Sequence, residues 1–173
     1  SSAPGGQTGS TAGSTAASGP DSFPEGTNPL TGLKVDDPSL LALPPALISV
    51  SNFPVTARPQ AGLSFSPFVF EMYIGHGMTR FLAMFYGDFP HALENADATT
   101  AQTQLYQIGP IRSGRLPYEH VRNLYNGFLV MASASREVGM SLNASTNVFG
   151  SDSNNINSAM MDVTKLEQIA ENR

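Results

Sequence analysis

Two arginines set in a turn are the residues of this chain best suited to carry chemistry. Arg112 and Arg115 flank Ser113 and Gly114, and Pro117 follows at a position typical of the first turn of a helix. Guanidinium groups donate paired hydrogen bonds to carboxylates and phosphates, and the free N–H groups of a helix start favour the same anions. The segment therefore predicts a site for an anionic ligand or a partner at Arg112, Ser113 and Arg115.

A structural role competes with this interpretation of the two arginines. Arg112 or Arg115 could instead pair with Glu71, Asp88 or Glu119 and brace a sheet against the helix. Ion pairs of this kind are commoner in proteins than ligand sites. Residue types and spacing leave both interpretations open.

Arg58 lies in a second basic turn. Pro59 follows it directly, which places Arg58 in an extended conformation. Arg58 could form another wall of an anion site, and the alternative is that it caps carbonyl groups or pairs locally.

Glu71 and Arg80 fall in two runs of β-favouring residues joined by a glycine-rich turn. If the turn residues are Gly75 and His76, Glu71 lies directly opposite Arg80, and the two form a structural ion pair. Glu71 could otherwise serve as the general base of a hydrolase, although the sequence places no second acid beside it.

Several chemistries are excluded by composition and motif. The chain has no cysteine, which removes disulfides, zinc ribbons and thiol nucleophiles. Its histidines have no partner at metal-ligand spacing, and no nucleophile elbow or phosphate-binding glycine loop occurs. A net charge of -5 argues against nucleic-acid binding. We therefore expect no enzyme, no metal and no cofactor.

The elements that must position these residues alternate between strand and helix. The pattern predicts an α/β (α+β) layered sandwich with a mixed β-sheet, a hairpin at its centre and a few short helices. The predicted elements are a strand over 46–51, the hairpin strands over 68–74 and 78–86, a helix from Pro117 to Gly127, a strand over 128–132, and helical spacing over 163–170.

The N-terminal stretch has a different composition from the rest. Residues 1–27 are rich in Ser, Gly and Ala and contain no large apolar side chain before Phe23, so burial cannot offset their ordering entropy. They predict a disordered tether with a mean reach of roughly 30 Å, or a tail without a role. The folded domain is expected over 28–173.

Several motifs, in order and at fixed spacing, resemble the N-terminal domain of the YerB-like bacterial lipoproteins. The resemblance covers residues 28 to about 131. The motifs are Asn28-Pro29-Leu30-Thr31-Gly32-Leu33, Asp36-Asp37-Pro38, Ala57-Arg58-Pro59-Gln60-Ala61-Gly62-Leu63, Thr79-Arg80-Phe81 and Ile108-Gly109-Pro110-Ile111-Arg112-Ser113.

The resemblance implies an extracytoplasmic protein on the outer face of the cytoplasmic membrane. It also implies a lipid anchor upstream of Ser1 rather than a transmembrane helix, a layered α/β fold without catalytic activity, and a domain incomplete at its C-terminus. We expect an accessory or binding subunit of a membrane or envelope protein assembly. The alternative is a receptor for an anionic envelope ligand, such as a glycan or wall polymer, with an arginine-lined site.

Overall fold

The structure is a computed structural model that describes residues 23–92 and 105–173. The tether predicted over 1–27 therefore lies outside the described residues except for its end. At that end the Val35 N–H donates to the Gly26 carbonyl oxygen at 2.9 Å, and Thr27 forms a bridge with Lys34. Contacts with the folded domain thus begin just before Asn28.

A five-stranded mixed sheet forms the middle layer. Its strand order is β2-β3-β1-β5-β6, with β1 antiparallel to β3 and parallel to β5, while β4 and β7 form a separate two-stranded sheet. The predicted fold class, an α/β sandwich with a mixed sheet and short helices, is confirmed. The strands are β1 Ala46–Ser51, β2 Phe68–Gly75, β3 Met78–Phe85, β4 Gln107–Ile108, β5 Phe128–Met131, β6 Ser145–Asn147 and β7 Met161–Asp162.

Short helices connect and cover the strands. Pro117 lies in the first turn of α1, as predicted, and the helix ends at Asn126, which adopts the left-handed conformation one residue before the predicted stop at Gly127. The helices are α1 Leu116–Tyr125, α2 Arg136–Ser141 and α3 Leu166–Glu171, with 3-10 helices at Pro38–Ala42, Val55–Ala57, Leu63–Phe65 and Val163–Lys165.

Both faces of the sheet are buried at β1, which is the centre of the core. All six residues of β1 are buried, and alternate side chains point to opposite faces. One face packs Leu47 against Tyr118 of α1, and the other packs Ile48 against a cluster that includes Ile108 and Leu166. The domain is therefore a three-layer sandwich.

The prediction that the hairpin forms the centre of the sheet is wrong. In the structure β2 is an edge strand, and β1 takes the central position between β3 and β5. The physical reason is burial: β1 is apolar enough to be covered on both faces, whereas β2 carries exposed side chains along its length.

The hairpin turn also differs from the predicted one. The turn residues are His76 and Gly77, with φ values of 53° and 73°, because Gly75 pairs with Met78. Two left-handed residues in succession are the normal requirement of a tight hairpin turn. A bulge between Tyr73 and Gly75 adds a further irregularity to the register.

Because the turn differs, the predicted ion pair between Glu71 and Arg80 is also wrong. The register places Glu71 opposite Phe81, and a one-residue slip sends neighbouring side chains to opposite faces of the sheet. Glu71 is exposed and accepts a hydrogen bond from Thr79 Oγ1 at 2.6 Å, whereas Arg80 is buried against α1.

Candidate anion-binding site

The segment around Arg112 lies between the carboxyl ends of β1 and β5. These strands pair in parallel only as far as Ile48 opposite Val130. Beyond that point the Arg112 N–H donates to the Ser49 carbonyl oxygen at 2.9 Å, and the Ala132 N–H donates to the Arg112 carbonyl oxygen at 3.0 Å. The strands separate and the segment fills the gap, which is where ligands bind in open α/β sheets.

Two residues of the segment fix its position against the sheet. Ile111 is fully buried in the core. At Gly114 an added Cβ would lie 2.5 Å from Met131 Sδ and 2.6 Å from Leu142 Cδ1, so both of those side chains would have to move to admit a larger residue. The close approach of Gly114 holds the backbone against β5, and with it the arginines on either side.

Arg80 reaches this segment from β3. It is only 5% exposed, and its Nη1 donates to the Ser113 carbonyl oxygen at 2.6 Å. Ser49 Oγ donates to the same carbonyl at 3.3 Å. The Tyr118 hydroxyl is buried beside Arg80 and Ser49 and interacts with both, although neither that hydroxyl nor Arg80 Nε has a hydrogen bond of good geometry to a described residue. The hydrogen-bonding capacity of this buried cluster is thus only partly used.

Arg112 and Arg115 complete a cluster of three arginines with Arg80. Burial, and secondarily the positive charges of Arg115 and Arg112, lower the pKa of Arg80. Burial and the nearby Arg115 likewise lower the pKa of Arg112. Among the described residues, no carboxylate lies within ion-pair distance of any of the three. The positive charge of this arginine cluster is not neutralised within the described domain.

The hydrogen bonds of the two outer arginines leave most of their donors unused. Arg112 Nη1 donates to the Ile156 carbonyl oxygen at 2.8 Å, and Arg115 Nη1 donates to the Gly114 carbonyl oxygen at 3.1 Å. Each guanidinium has five N–H donors in a planar fork. The arrangement can therefore bind a carboxylate or phosphate in addition to its internal contacts.

A cavity of about 400 Å³ opens beside the segment. Asp152 is the acid in its wall, and that carboxylate accepts the Asn154 N–H within its own turn at 2.8 Å. The Ser113 and Ser133 hydroxyl oxygens lie 3.2 Å apart. The residues of the wall on which the site depends are Arg112, Ser113, Ser133, Phe149, Asp152 and Ile156.

The structure brings Arg112, Ser113 and Arg115 together but holds Arg58 in a separate contact. Arg58 is exposed, and its Nε and Nη2 donate to the Asn52 carbonyl oxygen at 3.1 and 2.9 Å. This is the local carbonyl-capping arrangement that the sequence left open.

The bracing interpretation of Arg112 and Arg115 is wrong in the form predicted. Neither pairs with Glu71 or Asp88, and Glu119 pairs with Arg122 instead. What braces the segment is hydrogen bonding to main-chain carbonyls rather than an ion pair.

Sequence reasoning missed Arg80, Tyr118, Ser49 and Ser133 as parts of the cluster. Ser49 did offer a signal, since it is a polar residue in the middle of an otherwise apolar strand. Arg80 offered another, because a charge within a strand must point to solvent or to a specific polar site.

A second polar cluster joins Glu119 in the first turn of α1 to Arg122 in its last turn. Arg122 Nη2 and Nε donate to the two Glu119 carboxylate oxygens at 2.7 and 2.9 Å, and the Asn143 N–H and Nδ2 donate to them at 3.1 and 3.0 Å. The Arg122 hydrogen bonds, followed by those of Asn143, lower the pKa of Glu119 to about 2. This pair is neutralised and structural.

The larger cavity of the domain, about 810 Å³, lies at the opposite ends of β1 and β5. Its wall includes Leu30, Leu41, Leu43 and Tyr125, together with Arg122, whose charge is already paired. Size alone would favour this cavity, and Arg173, which has no ion pair with a described carboxylate, also lines it. The smaller cavity differs because Arg112 on its wall belongs to the arginine cluster.

Two further features are absent from the residues that the structure describes. No group of three or more His, Asp or Glu side chains there is placed to hold a metal ion. None of the helices in those same ranges has the length and apolar character that crossing a bilayer requires.

Comparison with known proteins gives three concordant matches. The family described as "Protein of unknown function (DUF3048) N-terminal domain" matches residues 30–164. The Bacillus subtilis (strain 168) protein named "Putative lipoprotein YerB" is 36% identical over 109 residues, which cover 63% of this chain and 27% of that protein. The crystal structure of YerB protein from Bacillus subtilis superposes with a TM-score of 0.63 at 24% identity, covering 84% of this chain and 49% of that one.

The structural match shows a shared fold. The chain described here spans about half or less of the length of these relatives.

Proposed function

This chain belongs to the DUF3048 family, as its YerB-like motifs indicated, and from that premise we propose that it is a non-catalytic, extracytoplasmic domain that binds an anionic envelope ligand. The arginine cluster of Arg80, Arg112 and Arg115 is its binding site, with Ser113 and Ser133 as additional hydroxyl donors.

One observation carries this proposal: three arginines converge at the carboxyl ends of the parallel strands without a carboxylate partner among the described residues. A protein that used these charges only to hold its fold would pair them, because burying like charges together opposes folding. A ligand that supplies the missing negative charge relieves that repulsion and gains bidentate hydrogen bonds.

The name of the relative, a putative lipoprotein, supports a place of action at a membrane. A lipoprotein is held at a membrane by its lipid, and the cell envelope outside that membrane is rich in phosphate and carboxylate groups. We propose that this domain is likewise attached at the outer face of the cytoplasmic membrane, where such groups are the available ligands.

Titration calorimetry tests the anion site directly. We expect inorganic phosphate, glycerol phosphate or a polycarboxylate to bind, and Arg112→Gln or Arg115→Gln each to weaken the affinity by roughly tenfold, the effect of losing one charged hydrogen-bonding group. Arg136→Gln is the matched control, because Arg136 is an exposed arginine at the start of α2.

The decisive comparison is between the site variants and that control. Equal affinity in the parent, Arg112→Gln and Arg115→Gln would overturn the proposed site. Equal weakening in Arg136→Gln would show that only overall charge matters.

A second role, as an accessory subunit of a membrane or envelope protein assembly, is supported by the outer surface of the helices. Leu116 and Leu124 of α1 and Met140 of α2 are 48%, 75% and 73% exposed, and exposed apolar patches mark interaction surfaces. Crosslinking in native membranes should recover a stoichiometric protein partner, and recovery of the monomer alone would count against this role.

A further inference from the structure

Four large apolar side chains are exposed on two loops at the arginine end of the domain. Phe53 and Val55 are 50% and 71% exposed, and Phe149 and Ile156 are 85% and 55% exposed. We call these four residues the apolar rim. Large apolar groups left in water at one end of a domain indicate a surface that is covered in use.

Specific contacts hold the two loops and the arginine cluster in one surface. Asn157 Nδ2 donates to Thr56 Oγ1 at 3.2 Å, which joins the loop of Val55 to the loop of Ile156. Arg112 Nη1 donates to the Ile156 carbonyl oxygen at 2.8 Å. Phe149 and Ile156 also line the same cavity as Arg112. The apolar rim and Arg112 therefore belong to one surface.

Two arginines and two acids lie on this surface near the apolar rim. Arg58 is held beside Phe53 through its hydrogen bonds to Asn52, and Arg112 lies on the cavity wall. The acids nearby are Glu71, which accepts the Thr79 hydroxyl at 2.6 Å and lies 3.4 Å from Asn52 Nδ2, and Asp152, which caps its own turn. Neither acid pairs with an arginine.

From this juxtaposition we propose that the arginine end of the domain docks directly on an anionic bilayer. Arg58 and Arg112 contact lipid phosphates, and the apolar rim enters the boundary between headgroups and acyl chains. This inference rests on the proposed anion site and identifies its ligand as a lipid headgroup.

A bilayer fits the surface better than a soluble polymer for a physical reason. A water-soluble polyanion satisfies the arginines but leaves the apolar rim in water. The interface of an anionic membrane supplies both partners at once, since apolar side chains are buried there and each nearby Lys or Arg adds about 1 kcal/mol of attraction, a roughly fivefold gain in affinity.

Vesicle co-sedimentation tests the docking. The 173-residue chain, expressed without a lipid anchor, is mixed with vesicles of phosphatidylcholine alone or with part of that lipid replaced by phosphatidylglycerol. We expect binding to the anionic vesicles only. Phe149→Ser should weaken it by about tenfold, as expected for removing a large apolar contact, and Arg58→Gln or Arg112→Gln by roughly fivefold.

Matched controls keep the result specific. Leu124→Ser removes a side chain that is 75% exposed on α1, beside the neutralised Arg122 rather than the arginine cluster. Arg136→Gln removes an exposed charge on α2. Both controls should bind vesicles as the parent does.

The outcomes separate this inference from the proposed anion site. Binding of glycerol phosphate with no binding to anionic vesicles would overturn the docking and leave the anion site standing. Vesicle binding that Phe149→Ser and Ile156→Ser leave unchanged would also overturn it, because the apolar rim would then have no part. If the parent chain bound neither vesicles nor phosphate, the proposed anion site itself would be overturned.

Discussion

The two ends of helix α1 hold arginines in opposite electrostatic situations. In its last turn Arg122 is paired with Glu119, whose carboxylate also accepts two hydrogen bonds from Asn143. At its start Arg115 joins Arg80 and Arg112, and no described carboxylate pairs with them. The first arrangement is complete without a ligand, and the second is not. Burial alone does not distinguish a charge that stabilises the fold from one that binds a ligand. The presence or absence of a carboxylate partner does.

The largest effect should come from breaking the complete arrangement. Glu119→Ala leaves the buried Arg122 without its partner, and we expect the free energy of unfolding to fall by about 4 kcal/mol, the usual cost of removing one partner of a buried ion pair. Denaturant titration measures this change. Glu137→Ala is the control, since Glu137 is exposed on α2 and its loss should stay within about 0.5 kcal/mol. A Glu119→Ala loss no greater than that of the control would show that the pair is not structural.

Acid should reproduce most of that loss in the unmodified chain. The folded pKa of Glu119, about 2, lies below the ordinary value of 4.5. Its contribution to stability is therefore fully present above pH 4.5 and is lost as the pH falls through the folded pKa, by about 3 kcal/mol in all. Unfolding curves measured across this range should show the decline. Glu119→Gln should flatten it, and an unchanged acid slope in that variant would contradict the assignment.

A smaller loss should follow from removing the side chain that supports the pair. Asn143→Ala deletes the 3.0 Å hydrogen bond from Asn143 Nδ2 to Glu119 but keeps the bond from the backbone N–H. We expect the free energy of unfolding to fall by about 1.5 kcal/mol, the value for one hydrogen bond to a charged group. Asn154→Ala is the control, because the backbone N–H of Asn154 donates to Asp152 while its side chain forms no hydrogen bond with a described residue. Equal losses in the two variants would argue against a supporting role for Asn143.

The contrast between the two ends also shows what sequence can predict. Strand β1 and helix α1 were predictable because local chemistry fixes them: Pro44 and Pro45 precede an apolar run of strand length, and Pro117 lies at a helix start. The turn that carries Arg112 was predictable as an arginine-rich junction for the same reason. Local patterns thus located the outer part of the site.

The inner part of the site depends on registers that local patterns do not determine. Arg80 faces α1 because it lies on the same face of β3 as Leu82 and Met84, which pack with Tyr118. The turn at His76-Gly77 and the bulge after Tyr73 decide which β2 residue lies opposite it, and a shift of one residue would have placed Glu71 there. Helix α2 and strand β6 were not predicted either, since the polar stretch that contains them lacks a clear period and is ordered by tertiary contacts such as that of Asn143 with Glu119.

The smallest effect on stability should come from removing the uncompensated charge itself. Arg80→Met keeps roughly the length of the side chain and removes a buried cation that has no carboxylate partner among the described residues. The Ser113 carbonyl loses one donor but retains Ser49 Oγ. Because relief of desolvation and repulsion offsets the lost hydrogen bond, we expect the free energy of unfolding to change by less than about 1 kcal/mol, while phosphate affinity falls.

Arg122→Met makes the same chemical change at the neutralised pair and should cost about 3 kcal/mol without altering phosphate affinity. Denaturant titration and calorimetry on the two variants measure both quantities. Equal destabilisation would mean that Arg80 is as structural as Arg122, and the distinction between the two ends of α1 would then fail.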